Sequence, residues 1–522
     1  MGFRGHEPIG FLYQERRSMK KLTLMAMALT VSLCSAANAA SDLSAEVEAL
    51  KAQVKQQQVE LQQLRVQSSS SWMNERRSQE VKALVQQVLA DADTRAALAE
   101  GGMTAGHNGE NFFLASEDGS FLLRISGQIQ IRHTSNFRDR KPFDADGNPA
   151  TLDETSFVSD AGLAGFENRR TKIRFDGHIG GPRVHYVVQL AVQPDDNEVN
   201  GDIITIGYDL TDNLYIWAGE DKGPFLREEI VSSSRQLAAE RSLVNEVFSL
   251  GVQQGVGLNW QAREDILLSL MISDGANSGE EDRRSKAWDS DLNDFAFTAR
   301  LDWTFEGDPG EAADFTSDPT DELFIHGGAA VHYEVTETGN YNGRADPNSG
   351  APYNDTFTMW TLDAAVEYQG FNAFIAFVMM HTDFEGAGSA LPAGASRPDF
   401  DPWGLVVQAG YNMDIGDNGT LEPFVRWEHL DFDSVAETVN SGYDDEIDLI
   451  TFGFNWYHKK HASKFTLDVV WALDTLPGGS PIASPGGQAQ LLRGVSSGLG
   501  LLGDDPDEDG QIALRAQYQL LF

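Results

Sequence analysis

The chain has 522 residues and a formal net charge of −40 at pH 7. That balance excludes a nucleic-acid partner, which needs a basic face, and the single cysteine, Cys34, excludes a disulfide framework or a paired-thiol motif. Mean hydropathy is −0.33, and no apolar run reaches the ~18 residues of a membrane-spanning helix. A membrane barrel gives the same value, because its strands alternate and its loops are polar.

Met19-Lys20-Lys21 opens a basic stretch, Leu22 to Cys34 is a short apolar core, and Ala37-Asn38-Ala39 fits a small-x-small cleavage site. Residues 1–39 are therefore predicted to be a secretory signal, with Met19 the expected true start. Leu43, Val47, Leu50, Val54, Gln57, Leu61 and Leu64 follow at alternating steps of four and three, a heptad seam with one polar position. A second helical stretch over 74–100 places Val81, Leu84, Val85, Val88 and Leu89 on one face and stops at Gly101-Gly102. Residues 40–102 thus read as a periplasmic α-helical, coiled-coil segment, with a single solvated helix as the alternative for 43–64.

From Asn111 the period changes to two: Leu123, Ile125, Ile129 and Ile131 alternate with Arg124, Ser126, Gln128 and Gln130. Sixteen such segments start near residues 121, 167, 183, 201, 213, 251, 265, 294, 323, 358, 371, 403, 420, 446, 462 and 511. The short segments 201–209 and 213–220 leave that count open by two. Connections alternate in length, from Ile179-Gly180-Gly181-Pro182 or the single Gly370 to 134–166, 336–357 and 474–510. Tight turns on one rim and large loops on the other are the layout of an outer-membrane barrel. One link, 306–322, is long where a short one is due. The prediction for 111–522 is an all-β transmembrane barrel of about 16 antiparallel strands. In the last strand Ile512, Leu514, Ala516, Tyr518, Leu520 and Phe522 share one face. Trp303, Trp427, Trp456 and Trp471 fall on apolar faces, where interface belts use them.

The most informative connection is Gly223 to Leu250, about 28 residues between the fifth and sixth segments, unusual for a packed surface loop. It runs Pro224-Phe225, Glu228-Glu229, Ser232-Ser233-Ser234-Arg235, then Glu240-Arg241-Ser242-Leu243-Val244-Asn245-Glu246. With Phe166-Glu167-Asn168-Arg169-Arg170-Thr171-Lys172-Ile173-Arg174-Phe175 and the terminal Gln517-Tyr518-Gln519-Leu520-Leu521-Phe522, this order resembles the family of phosphate-selective porins O and P over roughly 111–522. The resemblance implies that the loop folds back into the barrel and narrows it, that the barrel is trimeric, and that small anions pass. The terminal aromatic strand resembles the signal read by the outer-membrane barrel assembly machinery.

Strand parity turns Arg170, Lys172 and Arg174 inward, with Arg124 and Arg132 on the first strand and Arg300, Arg426 and Arg515 elsewhere. Val231, Leu237, Leu243, Val244, Val247 and Phe248 are expected to anchor 223–250 to the wall. Arg227, Arg235 and Arg241 then either face the inner cations as an anion filter or pair with Glu228, Glu229 and Glu240 as a neutral brace. Pairing of the inner cations with Asp176, Asp302, Glu422 and Glu428 would leave no net field. The expected anion path is Arg124, Arg132, Arg170, Lys172, Arg174, Arg227, Arg235 and Arg241.

The acids collect elsewhere. Residues 306–322 and 431–448 each carry seven carboxylates and no Lys or Arg. Asp505-x-Asp507-x-Asp509 reads as a solvated loop, since Ala516 stands where a calcium loop needs Glu. No nucleophile motif, phosphate-binding glycine loop or metal-ligand spacing appears, so no enzyme, cofactor or metal is expected. The expected partners are outer-membrane lipid, small anionic or neutral solutes, two further copies in a homotrimer, and peptidoglycan. The alternatives are a general or carbohydrate-permeable porin without anion preference, and a tether between outer membrane and cell wall.

Overall fold

The computed structural model describes residues 103–108, 111–137, 164–194, 197–276, 295–337, 354–384, 401–433, 446–476, 497–501 and 510–522. The signal and the helical segment over 40–102 lie outside the described residues.

The strands, in chain order, are β1 (Met103–His107), β2 (Phe112–Ser116), β3 (Phe121–Phe137), β4 (Ala164–Ile179), β5 (Val184–Val192), β6 (Val199–Thr211), β7 (Leu214–Lys222), β8 (Val252–Arg263), β9 (Ile266–Ser273) and β10 (Phe295–Glu306). They continue with β11 (Phe324–Glu337), β12 (Asn354–Tyr368), β13 (Phe371–Phe384), β14 (Trp403–Tyr411), its two-residue extension β15 (Met413–Asp414), β16 (Thr420–Asp431), β17 (Glu446–Lys459), β18 (Ser463–Ala472) and β19 (Ile512–Leu521). Each pairs antiparallel with its neighbour, and β19 returns to pair with β3, from Ile512↔Phe137 to Leu521↔Gln128. Counting β14 and β15 as one, β3 to β19 close a 16-stranded antiparallel barrel. The sequence expectation of sixteen holds, and the short segments β6 and β7 are full members of the wall.

β1 and β2 form a hairpin outside this count. β2 pairs with Leu122 to Ile125 of β3, filling the slot below the end of β19. The seam is fastened at Gly127, whose N–H donates to Phe522 O at 2.7 Å and whose carbonyl accepts from Phe522 N at 3.1 Å. A Cβ at Gly127 would sit 2.3 Å from the Phe522 ring, so this position needs glycine for the terminal aromatic to lie down.

Period-two sequence becomes two faces. Val331, Leu362, Ile375, Val407, Val425 and Phe452 are exposed on the outer face. Trp360, Trp427 and Trp471 stand toward one rim and Trp260, Trp303 and Trp456 toward the other, all partly exposed. This is an apolar band between aromatic girdles, the surface an acyl-chain environment selects. The inner face is polar and, on the β10–β19 side, buried: Arg300, Arg426, Arg515, Glu428 and Asp468 are each 1 % exposed or less. Something other than solvent covers them.

Candidate functional site

The cover is the connection after β7. It holds two short helices, α1 (Arg227–Ile230) and α2 (Leu243–Phe248). Ser242 caps α2, its Oγ accepting from Asn245 N at 2.9 Å, and the Glu228 carboxylate in turn accepts from Ser242 N at 2.6 Å. This locks the two halves of the loop together. Phe225, Leu243, Val244, Val247 and Phe248 are buried in one cluster with Met359, Met380, Leu430 and Leu449 of the far wall. At Gly404 the loop packs directly on the wall, since a Cβ there would lie 2.8 Å from Val244. The apolar anchors expected from sequence are thus all buried, including Val231 and Leu237, which join Phe315, Phe324 and Phe374 in a second cluster.

Polar contacts hold the rest. Arg426 donates to the carbonyls of Glu240 and Arg241 at 3.0 and 3.3 Å, Lys464 to Gln236 O at 2.9 Å, and Asn455 to Leu237 O at 2.8 Å. Arg300 donates to Phe225 O at 2.8 Å while paired with Asp302 and Asp363. Arg515 pairs with Asp468, whose carboxylate also accepts from Ala239 N at 2.9 Å. Of the acids expected to neutralise inner cations, Asp176, Asp302 and Glu428 do pair with arginine. Glu422 instead accepts from Tyr457, Asn372 and Asn455.

On the opposite side the loop reaches β3 and β4. The register between them shifts at Gln130/Ile131, leaving Arg169 without a partner residue. This bulge turns Arg169 as well as Arg170 inward. Both converge on Glu240: Arg169 Nε at 2.8 Å, Arg170 Nη2 at 2.5 Å and Arg132 Nη2 at 3.0 Å. Burial works to raise the Glu240 carboxyl, but the three guanidiniums outweigh it and hold it well below its usual range. Next along β4, Lys172 pairs with Asp202 at 2.5 Å, and Arg174 and Arg124 share Asp176. The solvent-exposed inner surface includes this wall and one face of the loop. Arg124 and Arg235 are 47 % and 45 % exposed in their side chains, Arg174 38 %, and Ile230 and Ser232 are exposed beside them.

A second segment enters from the short-turn rim. The β10–β11 connection forms a 3-10 turn over Pro309–Ala313, started by Asp308, whose carboxylate accepts from Gly310 N at 2.9 Å. It meets the loop. Arg227 lies over the Phe315 and Phe374 rings at 5.2 and 5.6 Å and donates to Asp314 O at 3.3 Å. Its other end is pinned by Gly370 N to Ser317 Oγ at 3.1 Å and Thr316 to the Tyr457 hydroxyl at 3.0 Å. An open cavity of about 380 Å³ remains between the two segments and the wall, bordered by Ile230, Leu267, Asp302 and Ala312.

The residues expected along an anion path thus divide. Arg124, Arg170, Lys172, Arg174 and Arg235 reach the solvent-exposed inner surface. Arg132, Arg227 and Arg241 do not. Arg132 is fully buried under the loop and Gly498, Arg227 is 4 % exposed, and Arg241 donates to the carbonyls of Glu228 and Val231 and pairs with Glu229. Those three brace the loop. Sequence reasoning did not reach Arg169, because a bulge leaves no mark in the strand pattern, nor Glu240 as the shared anchor. The anomalous length of 306–322 was the one signal of the second segment. Among the described residues no three His, Cys, Asp or Glu side chains are grouped to hold a metal ion.

A family profile described as phosphate-selective porin O and P matches residues 153–475. No curated protein sequence matches the chain. Among solved structures, the anion-selective porin from Comamonas acidovorans aligns at TM-score 0.46 and 9% identity, over 77% of this chain and 99% of that one. The outer membrane channel DcaP of Acinetobacter baumannii aligns at 0.44 and 11%, over 78% and 99%. OprB of Pseudomonas putida aligns at 0.42 and 9%, over 77% and 94%.

Proposed function

The chain belongs to the phosphate-selective porin O and P family, and from that premise we propose that this outer-membrane porin prefers small hydrophilic anions, phosphate among them. The observation that carries the preference is the charge balance along β3 and β4. Six cations, Arg124, Arg132, Arg169, Arg170, Lys172 and Arg174, share four carboxylates, Asp176, Asp202, Glu167 and Glu240. The surplus is positive, and the exposed Arg235 of the loop stands apart from this tally, 4.0 Å from Asp314. Arginine forks offer two parallel donors to an oxyanion, and a row of partly satisfied sites lets the ion leave as readily as it enters. Acidic loops farther than a Debye length, ~8 Å at physiological salt, are screened from this wall.

Reversal potential across a planar bilayer in a salt gradient tests the reading. Anion preference is expected, with added phosphate reducing chloride current. A potential at zero or of cation sign refutes it and returns the channel to a neutral, sugar-permeable type.

The same reading takes residues 1–39 as the signal and 40–102 as a periplasmic segment that joins three copies through its heptad seam. Sedimentation of a 40–100 peptide tests this: a species that stays monomeric at high concentration removes the segment from assembly.

A further inference from the structure

The connection 306–322 is built into the barrel rather than left on its rim. Phe315 is 2 % exposed within an apolar cluster shared with the loop, and Arg227 closes over it. The segment carries seven carboxylates and no cation. One of them is placed against the channel-facing loop charge: Asp314 Oδ2 lies 4.0 Å from Arg235 Nη1, with side chains 19 % and 45 % exposed. Its orientation is fixed. Asp314 Oδ1 accepts from Thr316 N at 2.9 Å, and Oδ2 also faces His461 Nε2 at 3.3 Å. A pair at the outer limit of contact with one partner half-exposed is open to a passing ion, unlike the closed Arg515–Asp468 pair.

We propose that Asp314 is a specificity-determining residue of the channel: set from the short-turn rim against Arg235, it offsets the loop's exposed positive charge and limits anion preference. The 306–322 segment is then the second wall of the constriction. This rests on reading the chain as an anion-preferring porin, and the test separates the two. If wild type shows no preference, that reading fails; the effect of Asp314 is judged by the change from wild type in either case.

The experiment is reversal potential of the full-length protein in planar bilayers for Asp314→Asn, Arg235→Ala, the double variant and Asp314→Glu. A unit charge about 6 Å from an ion's path in water changes an anion's partition about threefold and a cation's about threefold the opposite way, and so their ratio about tenfold. Asp314→Asn is expected to raise the anion-to-cation permeability ratio by about that factor. Arg235→Ala is expected to lower it similarly, the double variant to return near wild type, and Asp314→Glu to stay there. Unheated gel mobility of each variant monitors folding, since a role in holding the segment alone moves stability and not the ratio. A folded Asp314→Asn channel with the wild-type ratio overturns the proposal, as does a shift that Asp314→Glu reproduces.

Discussion

Replacing Glu240 by Gln tests whether one carboxylate ties the loop to the β3–β4 wall. Glu240 accepts four hydrogen bonds, from Arg132, Arg169 and twice from Arg170, all within 3.2 Å. Glutamine keeps one acceptor oxygen and turns an amide N–H₂ toward guanidinium. Removing one partner from a buried ion network costs about 3–5 kcal/mol. The low end applies, because Arg132 keeps Gln517 and two carbonyls, Arg170 keeps Gln130, and water reaches Arg169 and Arg170. The expected loss is therefore about 3 kcal/mol, read as a lower urea midpoint for the refolded protein in lipid vesicles. The local charge becomes more positive at the same time, so anion preference should rise while stability falls. A midpoint shift worth under about 1 kcal/mol, the value of an exposed pair, refutes the anchoring role.

Three further outcomes are expected. Phe315→Ala removes a buried ring from the cluster under Arg227, costs about 3–5 kcal/mol, and raises single-channel conductance as 306–322 loosens; unchanged conductance argues that the segment does not bound the pore. Gly127→Val pushes the Phe522 ring off the strand and loosens the seam, seen as a lower urea midpoint with the fast-migrating folded band retained on unheated gels. Glu240 is held below its unfolded value near ~4.3, so its contribution to stability is intact above that value and fades only as pH falls further, through the lowered value; loss of the folded band on titration from pH 7 to about 5 contradicts this.

Much of the wall was legible because its physics is local. Alternation sets the faces, and parity alone turned Arg170, Lys172 and Arg174 inward, away from outward-facing Ile173. The loop's apolar anchors were readable for the same reason, since nothing polar competes for Leu243 or Phe248. What was not legible depends on partners far along the chain. Arg132 obeys inward parity, yet it is sealed off because Ala239, Gly498 and Gln517 converge on it. Arg227, Arg235 and Arg241 look alike in sequence, and only the fold decides that Arg241 turns into the loop's body, Arg227 turns against the 306–322 segment and Arg235 turns out. Arg169 would be outward by strict alternation; the register shift beside it reverses that.

The seam between β3 and β19 has a kinetic consequence. Gln130 and Gln519 hydrogen-bond across it at a separation of 389 residues. Closing so long a loop costs about 4 kcal/mol more entropy than closing a four-residue turn, so hairpins zip early and the seam waits. Until β19 arrives, only Leu122 to Ile125 of the β3 edge is covered, by β2. Gln128 to Phe137 remains a row of unsatisfied backbone groups, a template for any strand nearby. The lifetime of the half-built molecule is then set by delivery of its last ten residues, and delay there is spent with an adhesive edge exposed.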